Sequence, residues 1–172
     1  MRSNKWHALI LVITLICTGI SIYIPLDNYE LLPEKYPTHF NLSGEPDSWS
    51  QKSVVTVLAG PLIMAASILL LLLPLTVYTA RVKDPRKIIN GPKKKVESMS
   101  LERAEKIRSI TVFHLLLIML LMAMLVMALS IDSVRVALEI RTELSPLGLV
   151  VTALLLLDSL YLTLKLIRLV YK

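Results

Sequence analysis

The chain has 172 residues, 55% of them hydrophobic, and a formal net charge of +6. Its apolar runs are too long and too uncharged for an ordinary soluble core, because about 20 consecutive apolar residues cross a bilayer as a helix. The basic excess does not point to nucleic acid: Lys and Arg gather beside the apolar runs, where they set topology and meet lipid.

Four segments pass the length test, at roughly 7–25, 53–80, 109–131 and 145–168. The expected fold class is therefore all-α: a four-transmembrane-helix integral membrane protein with a structured extracytoplasmic loop between helices 1 and 2. Arg2 and Lys5 precede the first run, as in a signal peptide. No small-x-small cleavage site follows, and Ile16 precedes Cys17 where a lipoprotein site needs a small residue, so the segment reads as an uncleaved helix. Cys17 is the one cysteine, which excludes an internal disulfide and makes it an apolar filler.

The loop 26–52 carries Lys35 and Lys52 against Asp27, Glu30, Glu34, Glu45 and Asp47. The loop 81–108 carries ten Lys and Arg residues, Lys93, Lys94 and Lys95 among them. Lys165, Arg168 and Lys172 close the chain. Cytoplasmic loops hold the basic excess, so both termini and 81–108 are expected on the cytoplasmic side of a cell membrane and the 26–52 loop on the outer side. Three parts follow: 1–80 with its outer loop 26–52, the basic loop 81–108, and a second transmembrane hairpin, 109–172.

Helix 2 contains Gly60, Pro61 and Pro74. Proline removes a helical hydrogen bond, so a bend is expected near Pro61. In the basic loop, Asp84-Pro85 and Asn90-Gly91-Pro92 are turn signals. Ser100 is a suitable N-cap for a helix that starts at Leu101 and runs into the membrane, supported by Glu102 and its i+4 partner Lys106. The lysine run suits anionic lipid headgroups, with a docked cytoplasmic protein as the alternative. The stretch 132–144 fits a strand by its alternation and a helix by the spacing of Val134, Leu138 and Arg141.

Two ionisable groups fall inside apolar segments: His114 in helix 3 and Asp158 in helix 4, with Tyr161 and Lys165 on the same face as Asp158. Such groups are functional candidates by default. They pair if helices 3 and 4 face each other; a buried interhelical hydrogen bond and a proton or ion path are both open. Met119, Met122, Met124 and Met127 read as core filling.

Polar specificity concentrates in the loop sequence YPTHFNLSGEPDSW, residues 36–49. His39, Asn41, Glu45 and Asp47 offer ligands for a divalent metal, without a strong metal-site spacing. His39 and Asp47 also suit a base and its orienter, but no nucleophile stands out among Ser43, Ser48 and Ser50. A third reading is a recognition loop. Pro33, Pro37 and Pro46 restrict the chain, Gly44 permits a turn, and Tyr36, Phe40 and Trp49 anchor it at the membrane interface. Asn41-Leu42-Ser43 is also a short glycosylation sequon.

The stretch LPEKYPTHFNLSGEPDSWSQK, residues 32–52, resembles the signature loop of a prokaryotic membrane domain family of unknown function. That domain forms the N-terminal part of SdpI-type immunity proteins. Leu32, Pro33, Pro37, His39, Phe40, Asn41, Gly44, Pro46, Asp47, Trp49 and Lys52 fit the pattern; Tyr36 stands where an aliphatic residue is more common. The resemblance covers about residues 7–80. It implies an integral membrane protein and, by its better-understood members, protection against a toxic peptide or a part in signalling.

The expected function is non-enzymatic: immunity, self-protection or ligand sensing, with His39, Asn41, Glu45, Asp47 and Trp49 binding a peptide, headgroup or membrane-protein partner. One alternative is an accessory subunit of a transporter or envelope complex. Another is a metal-dependent membrane enzyme or ion carrier using His39 and Asp47, or His114 and Asp158.

Overall fold

The computed structural model describes residues 5–171. The sequence-predicted charges of Arg2 and Lys172 lie outside the described residues. Four helical spans are long and apolar enough to cross a membrane: Lys5–Asp27, Val54–Arg81, Leu101–Ala137 and Pro146–Tyr171. In chain order they comprise α1 (Lys5–Asp27), then α2 (Val54–Ala66) and α3 (Leu73–Arg81), then α5 (Leu101–Ala137) and α6 (Pro146–Tyr171). A short α4 (Lys93–Glu97) lies in the basic segment, and strands β1 (Lys35–Phe40) and β2 (Pro46–Gln51) lie between α1 and α2. Between α1 and α2 the loop 26–52 contains an antiparallel hairpin.

The central element is α5, which packs against α1 most extensively and also against α2, α3 and α6. The face of α1 buried here carries Thr14, Cys17, Thr18 and Ser21, all small enough for close helix approach. The hydroxyls of Thr14, Thr18 and Ser21 donate to carbonyls of their own helix, at 2.8, 2.8 and 2.7 Å, so no polar atom is orphaned by that packing. Cys17 meets Ile68, Val112, Leu116, Met119 and Ala123 in the central cluster. Met119 is fully buried, as gap filling requires.

The irregular part of the second span is not at Pro61, which sits inside regular α2. It is a wide helical stretch, Ser67–Leu72, where the Leu73 N–H reaches back to the Ile68 carbonyl. Pro74 follows directly. Its ring excludes the usual bond to the carbonyl four residues back, and the widened turn accommodates it.

Helix α5 starts where the sequence predicts, with the Ser100 hydroxyl accepting from the Arg103 N–H at 3.3 Å. It continues to Ala137, well past residue 131, so the strand alternative for 132–144 is overturned. The reason is Asp132. Its buried carboxylate accepts from the Ser145 N–H at 2.8 Å and the Ser145 hydroxyl at 2.5 Å, at the start of α6. Arg141 Nη1 lies 3.6 Å from the same carboxylate. One acidic side chain therefore closes the α5–α6 turn and offers negative charge to the N-terminus of α6.

At the basic end, cations cap helix C-termini. Arg103 Nε donates to the Leu169 carbonyl at 2.6 Å, Lys95 Nζ to Tyr171 at 3.0 Å, and Arg108 Nη1 to Val82 at 2.9 Å. These carbonyls have no helical partner and carry the negative end of the helix dipole. A Cβ at Gly91 would stand 2.8 Å from Val170, so the basic segment lies tight against the end of α6.

Removing the Asp132 carboxylate should expose its importance. Asp132→Ala leaves the Ser145 donors and Arg141 unpaired and should cost about 1–3 kcal/mol, read as a lowered melting temperature in detergent, whereas Glu143→Ala should change little.

Candidate functional site

The hairpin is held at its base, its flank and its tip. At the base, Lys52 Nζ donates to the carbonyls of Leu32 at 2.7 Å and Tyr29 at 3.3 Å, and sits 5.1 Å from the Tyr29 ring centre. On the flank, Tyr36 is buried with Leu32, Val57, Val134 and Ala137. Burial pushes the Tyr36 phenol up to about 12, opposed by a hydrogen bond from Ser133. Tyr36 lies where β1 meets α5, and its hydroxyl gives that contact a polar partner.

The tip turns on Asn41. Its carboxamide oxygen accepts from the N–H groups of Ser43 at 2.9 Å and Glu45 at 3.0 Å, and its nitrogen reaches Glu45 Oε2 at 3.2 Å. Gly44 follows at φ +85, a left-handed conformation that glycine adopts without penalty. Its carbonyl accepts from the Leu144 N–H at 2.8 Å, tying the tip to the α5–α6 turn. Asn41 and Glu45, expected as ligand contacts, also build the turn, and both stay exposed. The sequon asparagine is committed on both ends of its side chain.

His39, Asp47 and Trp49 remain uncovered on the strands. His39 Nδ1 lies 2.5 Å from Asp47 Oδ1, and both side chains are largely exposed. Trp49 stands opposite Pro37 in the register and is 45% exposed. Leu42, at the tip, is 99% exposed. Sequence reasoning passed over Leu42; an apolar residue between a turn asparagine and Gly44 was the available signal. His39 and Asp47 come together without a third ligand: among the described residues no group of three His, Cys, Asp or Glu side chains is placed to hold a metal ion.

The second candidate pair is deep in the bundle. His114 Nδ1 lies 2.7 Å from Asp158 Oδ1, with both side chains about nine-tenths buried. The Tyr161 ring stands 5.5 Å from the His114 ring, and Lys165 Nζ lies 5.8 Å from the Tyr161 ring centre. Asp158 Oδ2 is buried without a hydrogen-bond partner among the described residues. The pair joins α6 to α5, the helix against which α6 packs most extensively.

Residues 9–65 match the model of a family described as a domain of unknown function, DUF1648. The match spans most of α1, the hairpin and nearly all of α2, and supports the resemblance to a membrane domain family of unknown function. No curated protein and no solved structure matches the chain.

Two outcomes follow from this geometry. The Tyr36 phenol is raised in the folded state from an ordinary value of 10.0 to about 12. Between those values the unfolded chain loses the proton and the folded one keeps it, so stability should fall as pH rises through that window, by roughly 3 kcal/mol. Tyr36→Phe should flatten the fall in an alkaline unfolding series. For His114 and Asp158, a double-mutant cycle with His114→Leu and Asp158→Leu should give a coupling of about 0.6–1.7 kcal/mol, measured by unfolding in mixed micelles.

Proposed function

We propose that this is a non-enzymatic multi-pass membrane protein whose hairpin is an extracytoplasmic recognition surface, of the self-protection or ligand-sensing kind. The observation that carries the reading is the contrast within the hairpin. Its base, flank and tip are fastened to the helices by Lys52, Tyr36 and Gly44, while Leu42, His39, Asp47 and Trp49 stay open. A surface ordered in advance loses less entropy when it binds. The exposed set combines an apolar tip, an aromatic ring and a titratable pair, which suits a peptide or a protein segment. Strand β2 has β1 as its one partner among the described residues, so its outer edge offers backbone groups to an extended chain.

The orientation belongs to the same proposal. The basic segment at the opposite end from the hairpin is rich in Lys and Arg, which favours the cytoplasm. Prokaryotic origin is part of it too, through the family resemblance.

A second reading, an accessory subunit of a membrane complex, is favoured by α6. Gly148, Val151 and Val170 are its buried residues, while Leu149, Leu156, Leu157 and Leu160 are more than half exposed.

Two experiments test the first reading. In a Cys17→Ala background, Leu42→Cys should react with an impermeant maleimide on intact cells, while Ser98→Cys should react after permeabilisation alone; the reverse pattern contradicts the orientation. In affinity purification from native membranes, a stoichiometric partner should be lost in His39→Ala/Asp47→Ala with membrane insertion unchanged. A partner kept by that variant moves the interface to the helices.

A further inference from the structure

At the basic end, Arg103 of α5 and Lys165, Arg168 and Leu169 of α6 line an open cavity of about 420 Å³. That volume lies within the range of small-ligand sites, about 300–1,000 Å³. Among the described residues none of the three cations is paired with a carboxylate: Glu97 and Glu105 pair with Lys93 and Arg108, and Glu102, beside Arg103 in sequence, is exposed and makes no ion pair with it. Arg103 is held in place by its Nε bond to the Leu169 carbonyl, which leaves its two terminal nitrogens for a ligand. Lys165 is steadied over the Tyr161 ring. Three cations without a carboxylate partner among the described residues, around one cavity, make a site for an anion.

Its depth indicates which anion. From Pro146 to Leu164, α6 carries Asp158 as its one charged residue, and at 1.5 Å per residue that stretch spans about 28 Å, close to the hydrocarbon thickness of about 30 Å. Lys165 therefore stands at the hydrocarbon boundary, with Arg168 and Arg103 in the headgroup layer beyond it. The anion concentrated at that level is a lipid phosphate. We propose that the cavity between the ends of α5 and α6 binds a phosphate group, supplied by the headgroup of an anionic phospholipid. This site is independent of the hairpin and of the exposed lysine run Lys93–Lys95.

The test uses the purified full chain in a neutral detergent and native mass spectrometry, with phosphatidylglycerol, chain-matched phosphatidylcholine and inorganic phosphate as probes. Wild type should retain phosphatidylglycerol in preference to phosphatidylcholine. Lys165→Gln/Arg168→Gln, which leaves the Arg103 cap intact, should weaken that retention about 30-fold. Lys93→Gln/Lys94→Gln should leave it within about twofold, since neither side chain lines the cavity and both are exposed to screening solvent. Equal retention by the Lys165/Arg168 variant overturns the site, as does an equal loss in the Lys93/Lys94 variant, which would mean general surface charge. Displacement of the lipid by inorganic phosphate at matched concentration overturns the lipid as occupant and makes a soluble phosphate the ligand.

Discussion

A helix of 37 residues rises about 55 Å, and the hydrocarbon core it must cross is about 30 Å thick. Helix α5 therefore projects well beyond the bilayer, and each overhang is used. At one end Val134 and Ala137 form the floor on which Tyr36 and Leu32 of the hairpin segment rest. At the other, Ala104 and Ile107 pack with Met99 and Val170 to gather the basic segment and the end of α6. Between them, close packing of α1 on α5 fixes the axis to which both ends refer. A shorter α5 would leave a flexible loop at one end and an unsupported cluster of cations at the other.

The polar residues divide by what the surroundings require of them. Asn41, Lys52 and Asp132 satisfy backbone groups that would otherwise lack partners, and their work is architectural. His39, Asp47 and Trp49 satisfy no such need. Exposed ion pairs such as His39–Asp47 add little to stability, so stability alone gives no reason for that pair to be there. His114 and Asp158 fall between: their bond ties α6 to α5, yet Asp158 Oδ2 has no partner among the described residues, in a setting where that is costly.

Much of this was legible in the sequence because membrane constraints are severe. Length and hydropathy alone mark the four spans, Ser100 marks the start of α5, and the i+3 and i+7 spacing from Asp158 puts Tyr161 and Lys165 on one face. What was not legible depends on contacts distant in the chain. The reach of α5 to Ala137 rests on Asp132 finding Ser145 across a turn. The role of Asn41 could not be separated from that of His39, because both are polar residues in one short motif. The displaced irregularity in the second span reflects Pro74, whose influence acts on the turn before it, while Pro61 is absorbed without disruption.

The central claim is that the hairpin, and not the open face of α6, meets the partner. Site-specific photo-cross-linking in native membranes tests it directly, with the photoreactive group at position 42 in one version and at 160 in the other, both outward-facing. The account predicts one discrete protein or peptide adduct from position 42, lost when His39 and Asp47 are both Ala, and lipid adducts alone from position 160. A discrete protein adduct from 160 with none from 42 would contradict it, and would make α6 the interface of a membrane complex.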